Sequence, residues 1–301
     1  MSYNTETSRV SAQLVNSNFI RKIENGQTKE AQAEGSAFIR SKLRQASFAR
    51  EILPPQLLSD DELDRDEHTD LPKKIVEIEP DSRATFVPFK GTGPRTWFKG
   101  PRYAVYFGKT ESQRFRKSKF ELMTYQNDIR KILSDNSVKD MADQEDERFY
   151  ETLDTIISMN PAQELTPVGG LTADNVADAF KNLTSRRIPV GKILMTKELY
   201  YDCLKLPATS VGDPVAARHY DEGVENENVL WGYPVITTIK NDILPANEFF
   251  VFGPQEYLGN FFLLQDATLF IKQEADMIEF FSYAAPGIGI GNTKSITRVR
   301  L

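Results

Sequence analysis

Apolar positions recur at two spacings along this chain, and each predicts a different kind of element. Ile129, Ile132 and Leu133, and later Phe149, Leu153 and Ile156 with Tyr150 and Ile157 beside them, repeat at helical spacing, so residues 128–158 are expected to form a long helix. Ser134, Asp135, Asn136 and Ser137 would interrupt or kink it, and Asn160-Pro161 would stop it. Short unbroken apolar runs at 249–252 and 261–264 read as buried strands, with further strands at 192–195, 233–239, 248–252 and 268–273. Thr172 is placed to cap a helix running to Leu183, and residues 196–206 read as another. A strand is expected at 119–125. Strands and helices in this order give an α+β class, and no internal repeat is visible.

Two β-rich runs, Arg83 to Phe89 and Arg102 to Phe107, flank the Gly/Pro-bearing stretch Gly91-Thr92-Gly93-Pro94 and describe a long hairpin over residues 83–109. Its tip is expected to carry Arg95, Thr96, Trp97, Phe98 and Lys99. An isolated two-stranded hairpin is marginal in water, so aromatic side chains at its tip call for a partner surface. Residues 1–70 are polar, with only the short clusters Leu14-Val15 and Phe19-Ile20. They read as an arm that makes no core by itself and is tied down by a neighbouring molecule. A polar loop is expected at 207–228.

Composition narrows the class. The 301 residues are 40% hydrophobic and 27% charged, ordinary for a folded globular protein. A single cysteine, Cys203, excludes an internal disulfide, and cytoplasmic synthesis is the default expectation. Met1 to Arg9 lacks the basic and apolar pattern of a secretory signal, and no apolar run approaches the length of a membrane span. A net charge of -6 argues against a dedicated nucleic-acid binder. The charge is segregated: residues 83–131 hold twelve basic residues against three acidic ones, whereas 134–154 hold eight acidic against two basic. Opposite blocks in one chain invite head-to-tail self-association, with Arg95, Lys99 and Arg102 facing Asp143, Glu145, Asp146 and Glu147 of the next copy. Two solvated faces that never meet are the alternative.

The candidate chemistry thins out on inspection. The acidic run from Asp60 to His68 has Arg65 and Leu71 where a calcium loop needs Gly and Glu. His68 and His219 stand in no recognisable motif. Cys203 lies in an expected amphipathic helix and reads as a core residue. The segment Gly287 to Ser295 ends in Lys294-Ser295 as a phosphate loop does, but Thr293 replaces the glycine before the lysine and only six residues follow. It reads as a turn between terminal strands. No catalytic, cofactor or metal site is expected.

The order of these parts resembles the major capsid proteins of tailed bacteriophages, the family with the Hong Kong 97-type capsid fold. Glu145-Asp146-Glu147-Arg148-Phe149 is similar to the acidic-aromatic segment of that family's spine helix. Lys192-Ile193-Leu194-Met195-Thr196 followed by a short helix, and Leu230-Trp231-Gly232-Tyr233-Pro234-Val235, resemble its axial domain. The resemblance covers nearly the whole chain. It implies an N-terminal arm and acidic linker (1–70), an E-loop hairpin region (71–118), a peripheral domain with a long spine helix (119–170), an axial domain (171–266) and returning strands (267–301). It further implies a non-enzymatic subunit that builds an icosahedral shell in the virion, assembled in the host cytoplasm. The implied partners are itself, in hexamers and pentamers, a portal, scaffolding or decoration proteins, and packaged DNA held without sequence-specific binding. No membrane is involved. Trp97 and Phe98 join the charged residues above as candidate intersubunit contacts. The alternatives are an encapsulin-type compartment and a soluble enzyme with an unrecognised site. No sign of a cleaved scaffolding region is read from the N-terminus, and no covalent cross-link is inferred for Lys90 or Lys99.

Overall fold

The structure, a computed structural model, describes residues 5–77, 85–93, 95, 102–124, 129, 133–167, 169–203 and 229–301. Three helices come first: α1 (Thr5–Glu24), α2 (Thr28–Ala46) and α3 (Phe48–Ile52). Strands β1 (Pro55–Leu57), β2 (Asp64–Arg65), β3 (Pro72–Glu77), β4 (Arg102–Tyr106), β5 (Thr110–Glu111) and β6 (Phe115–Ser118) lead to α4 (Lys119–Thr124). A π-helical turn, Leu133–Val138, precedes the long helix α5 (Lys139–Met159), and β7 (Glu164–Leu165), α6 (Ala173–Ser185), β8 (Lys192–Thr196) and α7 (Lys197–Cys203) follow. The remainder is β9 (Val229–Leu230), β10 (Tyr233–Thr238), β11 (Glu248–Phe252), α8 (Gln255–Leu258), β12 (Gly259–Glu274), β13 (Met277–Ile290) and β14 (Ile296–Arg300).

Among the described residues the strands form three sheets. One has the order β1-β12-β13-β5, with β6 also on β13; a second has the order β7-β14-β11-β8-β10-β9; the third is β2-β3-β4. The central strand β11 explains why the second sheet is a layer between two cores. Its five residues are all buried. Phe249 and Val251 join Val176, Ala179 and Leu183 of α6, while Phe250 and Phe252 join Phe149, Leu153 and Ile157 of α5. Side chains alternate across a strand, so only an unbroken apolar run fills both sides.

Long helix α5 begins after the π-helical turn at Leu133–Val138, where the interruption was expected, and ends at Met159 before Asn160-Pro161. Thr172 caps α6 by accepting from the Asn175 amide. The two strands expected at 261–264 and 268–273 are one 16-residue strand, β12, with register shifts between Leu263, Gln265 and Thr268. It pairs along its length with β13 and carries the chain from the α5-side core, which holds Phe261 and Leu263, to a third core, which holds Leu269 and Ile271.

Three sequence expectations are corrected. Residues 5–46 are not a bare arm: α1 and α2 turn back on each other at Gly26, whose φ of 76° suits glycine, and bury Ile20, Ile23, Ile39 and Leu43 against Leu269, Ile271, Ile278 and Phe280. Each helix offers a narrow apolar stripe that becomes a core only when both lie on the sheet. Close approach is built in, since a Cβ on Gly35 would strike Leu269. The hairpin's incoming strand is β3, not the run beginning at Arg83; it pairs from Lys73 with Tyr106 to Glu77 with Arg102. Of residues 85–93, none lies in a strand, and Phe86 and Phe89 are fully exposed. Residues 119–124 are helix, and the strand lies just before them. There Glu121 accepts from the Ser118 amide at 3.1 Å and the Ser118 hydroxyl accepts from Phe120, a helix-start pattern.

Candidate functional site

The proposed contact residues separate into three groups. Trp97, Phe98 and Lys99 lie outside the described residues. Arg95 is exposed, and Arg102 pairs with Glu77 at 2.7 Å across the β3–β4 ribbon with both side chains largely in solvent. Glu147 is exposed and accepts from Gln144 at 2.8 Å. Glu145 and Asp146 are corrected: they face the interior, so neither lies on a surface another subunit can reach. Asp143, at the edge of the same group, pairs with Lys240 at 3.0 Å.

Glu145 and Asp146 anchor a buried ionic centre that spacing alone did not reveal. Arg50 of α3 donates from Nε and Nη2 to the two oxygens of Glu145, both at 2.7 Å, and from Nη1 to Asp266 at 3.2 Å. At the next position, Asp146 accepts from the Ser47 hydroxyl at 2.8 Å, from the Ala49 amide at 3.0 Å and from Lys240 at 2.5 Å. Burial pushes the Glu145 carboxyl up, with Arg50 opposing, and pushes Asp146 up, with Lys240 opposing. The centre ties α3, α5, the middle of β12 and the segment after β10 into one unit. A signal existed in the sequence: Arg50 sits in an apolar stretch, Phe48 to Leu53, where a lone cation needs a buried partner.

None of this arrangement looks like a reaction centre. Cys203 is buried against Met195, and burial pushes its thiol up to about 12, far from a thiolate. In the acidic segment three carboxylates are engaged locally: Asp66 accepts from Thr69 and pairs with Lys73, which holds it down at about 2, Glu62 accepts from Ser59, and Asp70 pairs with Arg65. Among the described residues no three His, Cys, Asp or Glu side chains come together as a metal-holding set. Two of the three glycines in the segment Gly287 to Ser295 serve packing. Gly287 and Gly289 lie inside β13, where a Cβ would strike Phe107 and Phe262. No described helix is long and apolar enough to cross a membrane.

Comparison with solved structures places this three-sheet fold. No family model matches the sequence, and no curated protein does. The chain is similar to the virus-like particle from Pyrococcus furiosus, with TM-score 0.57 and 12% identity over 90% of this chain and 100% of that one. It is also similar to the capsid of the cyanophage P-SCSP1u, with TM-score 0.55 and 11% identity over 83% of this chain and 86% of that one. The mature capsid of bacteriophage PhiM1 gives TM-score 0.55 and 10% identity over 85% and 87%. At such identities the likeness establishes the fold: this is a Hong Kong 97-type capsid fold, and these neighbours are shell proteins.

Proposed function

We propose that this chain is the major capsid protein of a tailed phage, a subunit that assembles with copies of itself into an icosahedral head around double-stranded DNA. The observation that carries the reading is coverage. Shell-protein folds match more than four fifths of the chain, leaving little of it for a separate catalytic or binding domain. The described parts suit that role. The β3–β4 ribbon bears exposed Tyr106 and Ile75, and Phe86 and Phe89 further along the chain stand in solvent, so these side chains call for a neighbour to cover them. The ionic centre and three cores make a body stiff enough to hold interfaces at fixed angles.

Portal, scaffolding or decoration proteins are the further partners this reading implies, with assembly in the host cytoplasm and no catalysis by the subunit. A shell enclosing something other than a genome is the second reading, favoured by the full-length match to an archaeal virus-like particle. Expression of the full chain, sedimentation of the particle fraction and nuclease treatment test both. Large particles are expected, and in an infected host they protect double-stranded DNA. Particles holding protein cargo and no nucleic acid would select the second reading, and a permanently monomeric protein would refute both.

A further inference from the structure

The sheet containing β12 and β13 has one face under α1 and α2, where Phe280, Ser282 and Ala284 are buried, and an opposite face that is open. Across that open face runs an aromatic row. Phe270 and Phe281 are cross-strand partners with ring centroids 4.9 Å apart, and the Tyr283 ring lies 6.4 Å from Phe281. Two cations rest on the row: Arg114 over Phe281 at 4.6 Å and Lys109 over Tyr283 at 4.8 Å. Arg116 and Lys272 flank it, and Glu111 and Glu279 are the acids between them. Glu274 stands on the same face two residues beyond Lys272, so four cations against three carboxylates leave the face weakly positive, with Phe270 still 41% exposed.

A patch of opposite character lies elsewhere on the same chain. Leu57 and Leu71 are 64% and 56% exposed and bracket the acidic segment. Within it Asp60, Asp61, Asp64 and Glu67 are exposed, and no ion pair is recorded for them among the described residues. Both patches keep exposed side chains among the described residues. Each offers what the other lacks: apolar side chains with carboxylates on one, aromatic rings with cations on the other.

We propose that the open aromatic face of one subunit receives residues 57–71 of a second copy. The inference rests on the reading of the chain as a self-assembling subunit and names two surfaces that meet. Because two different patches join, the contact is heterologous, and repetition of it generates rings and extended arrays instead of a closed dimer. Nucleic acid fits the face less well, since Glu111 and Glu279 among the cations would oppose phosphates.

The test follows assembly of the purified full chain by light scattering at low salt. A face variant, Arg114→Glu with Lys272→Glu, and a segment variant, Asp61→Lys with Asp64→Lys, are compared with the chain carrying all four changes. Each pair of reversals is expected to slow assembly at least about tenfold while the circular dichroism spectrum and melting temperature are kept, and the fourfold variant is expected to recover most of the rate. Leu57→Ser with Leu71→Ser, which alters no charge and replaces two side chains that are mostly exposed, is expected to slow assembly as well and covers the case of a misfolded reversal. If wild type assembles and these variants do so at its rate, or the fourfold variant is no faster than its parents, the contact is wrong. A face variant that assembles normally but loses a duplex-DNA mobility shift would overturn it in favour of nucleic acid. Wild type that never assembles would refute the shell reading itself.

Discussion

Arg50 grips both oxygens of Glu145 at 2.7 Å, and neither side chain has any exposed surface. The pair joins a five-residue helix near the N-terminus to the long helix, and Asp266 extends it to β12. Removing one partner strands the other. Glu145→Ala is therefore expected to cost about 3–5 kcal/mol, the range for breaking a buried pair, and chemical denaturation of the unassembled subunit reads it. A cost below about 1 kcal/mol would mean that water reaches Arg50.

Protonation of the same carboxyl gives a signed expectation. Burial raises the Glu145 carboxyl above its unfolded value, so the folded state holds its proton to higher pH than the unfolded chain does. Its contribution is fully present below the unfolded pKa and is lost as pH rises through the folded one. Glu145→Gln keeps the shape and removes the titration. The stability gap between wild type and this variant should shrink as pH rises from about 4 through that window. A gap that widens instead would show that Arg50 outweighs burial.

Packing predicts a contrast between two phenylalanines. Phe250 is fully buried, with its ring 6.1 Å from Tyr150 and 6.0 Å from Phe252, so Phe250→Ala should cost about 3–5 kcal/mol. Phe120 is 70% exposed, and its truncation should change stability by less than about 0.5 kcal/mol. Equal costs in a urea titration would contradict the assignment of the core.

Gly259 begins β12 with φ of 143°, and a Cβ there would strike the Gly289 carbonyl oxygen. Gly259→Ala should lower stability by more than about 1 kcal/mol, since the substitution strains the folded backbone more than it restricts the unfolded one. An unchanged melting temperature would place the strand start elsewhere.

How much of this was readable depended on whether a segment's partners were local. Phe249 to Phe252 announced a strand buried on both faces, and Phe149, Leu153 and Ile156 a helix against it, because period and burial are written in adjacent residues. The hairpin was legible as an object but not in its pairing: Arg83 to Phe89 has strand composition and lies next to the turn, yet the more distant Pro72–Glu77 meets β4, and no local rule picks the farther of two β-rich runs. Residues 5–46 read as polar because their stripes complete a core only with Leu269 and Phe280, more than 220 positions away. For the same reason the acidic block of the long helix passed for surface. Glu145 and Asp146 are neutralised by Arg50 and Lys240, about 95 residues off in each direction, and one-dimensional charge tallies cannot see such partners.

Electron microscopy of the purified full-length chain under assembly conditions tests the central claim most directly. The account predicts closed particles with icosahedral symmetry, whose reconstruction shows repeated copies of this three-sheet fold with the β3–β4 ribbon lying on a neighbour. A homogeneous population of monomers or small closed oligomers, unchanged by concentration or salt, would contradict it.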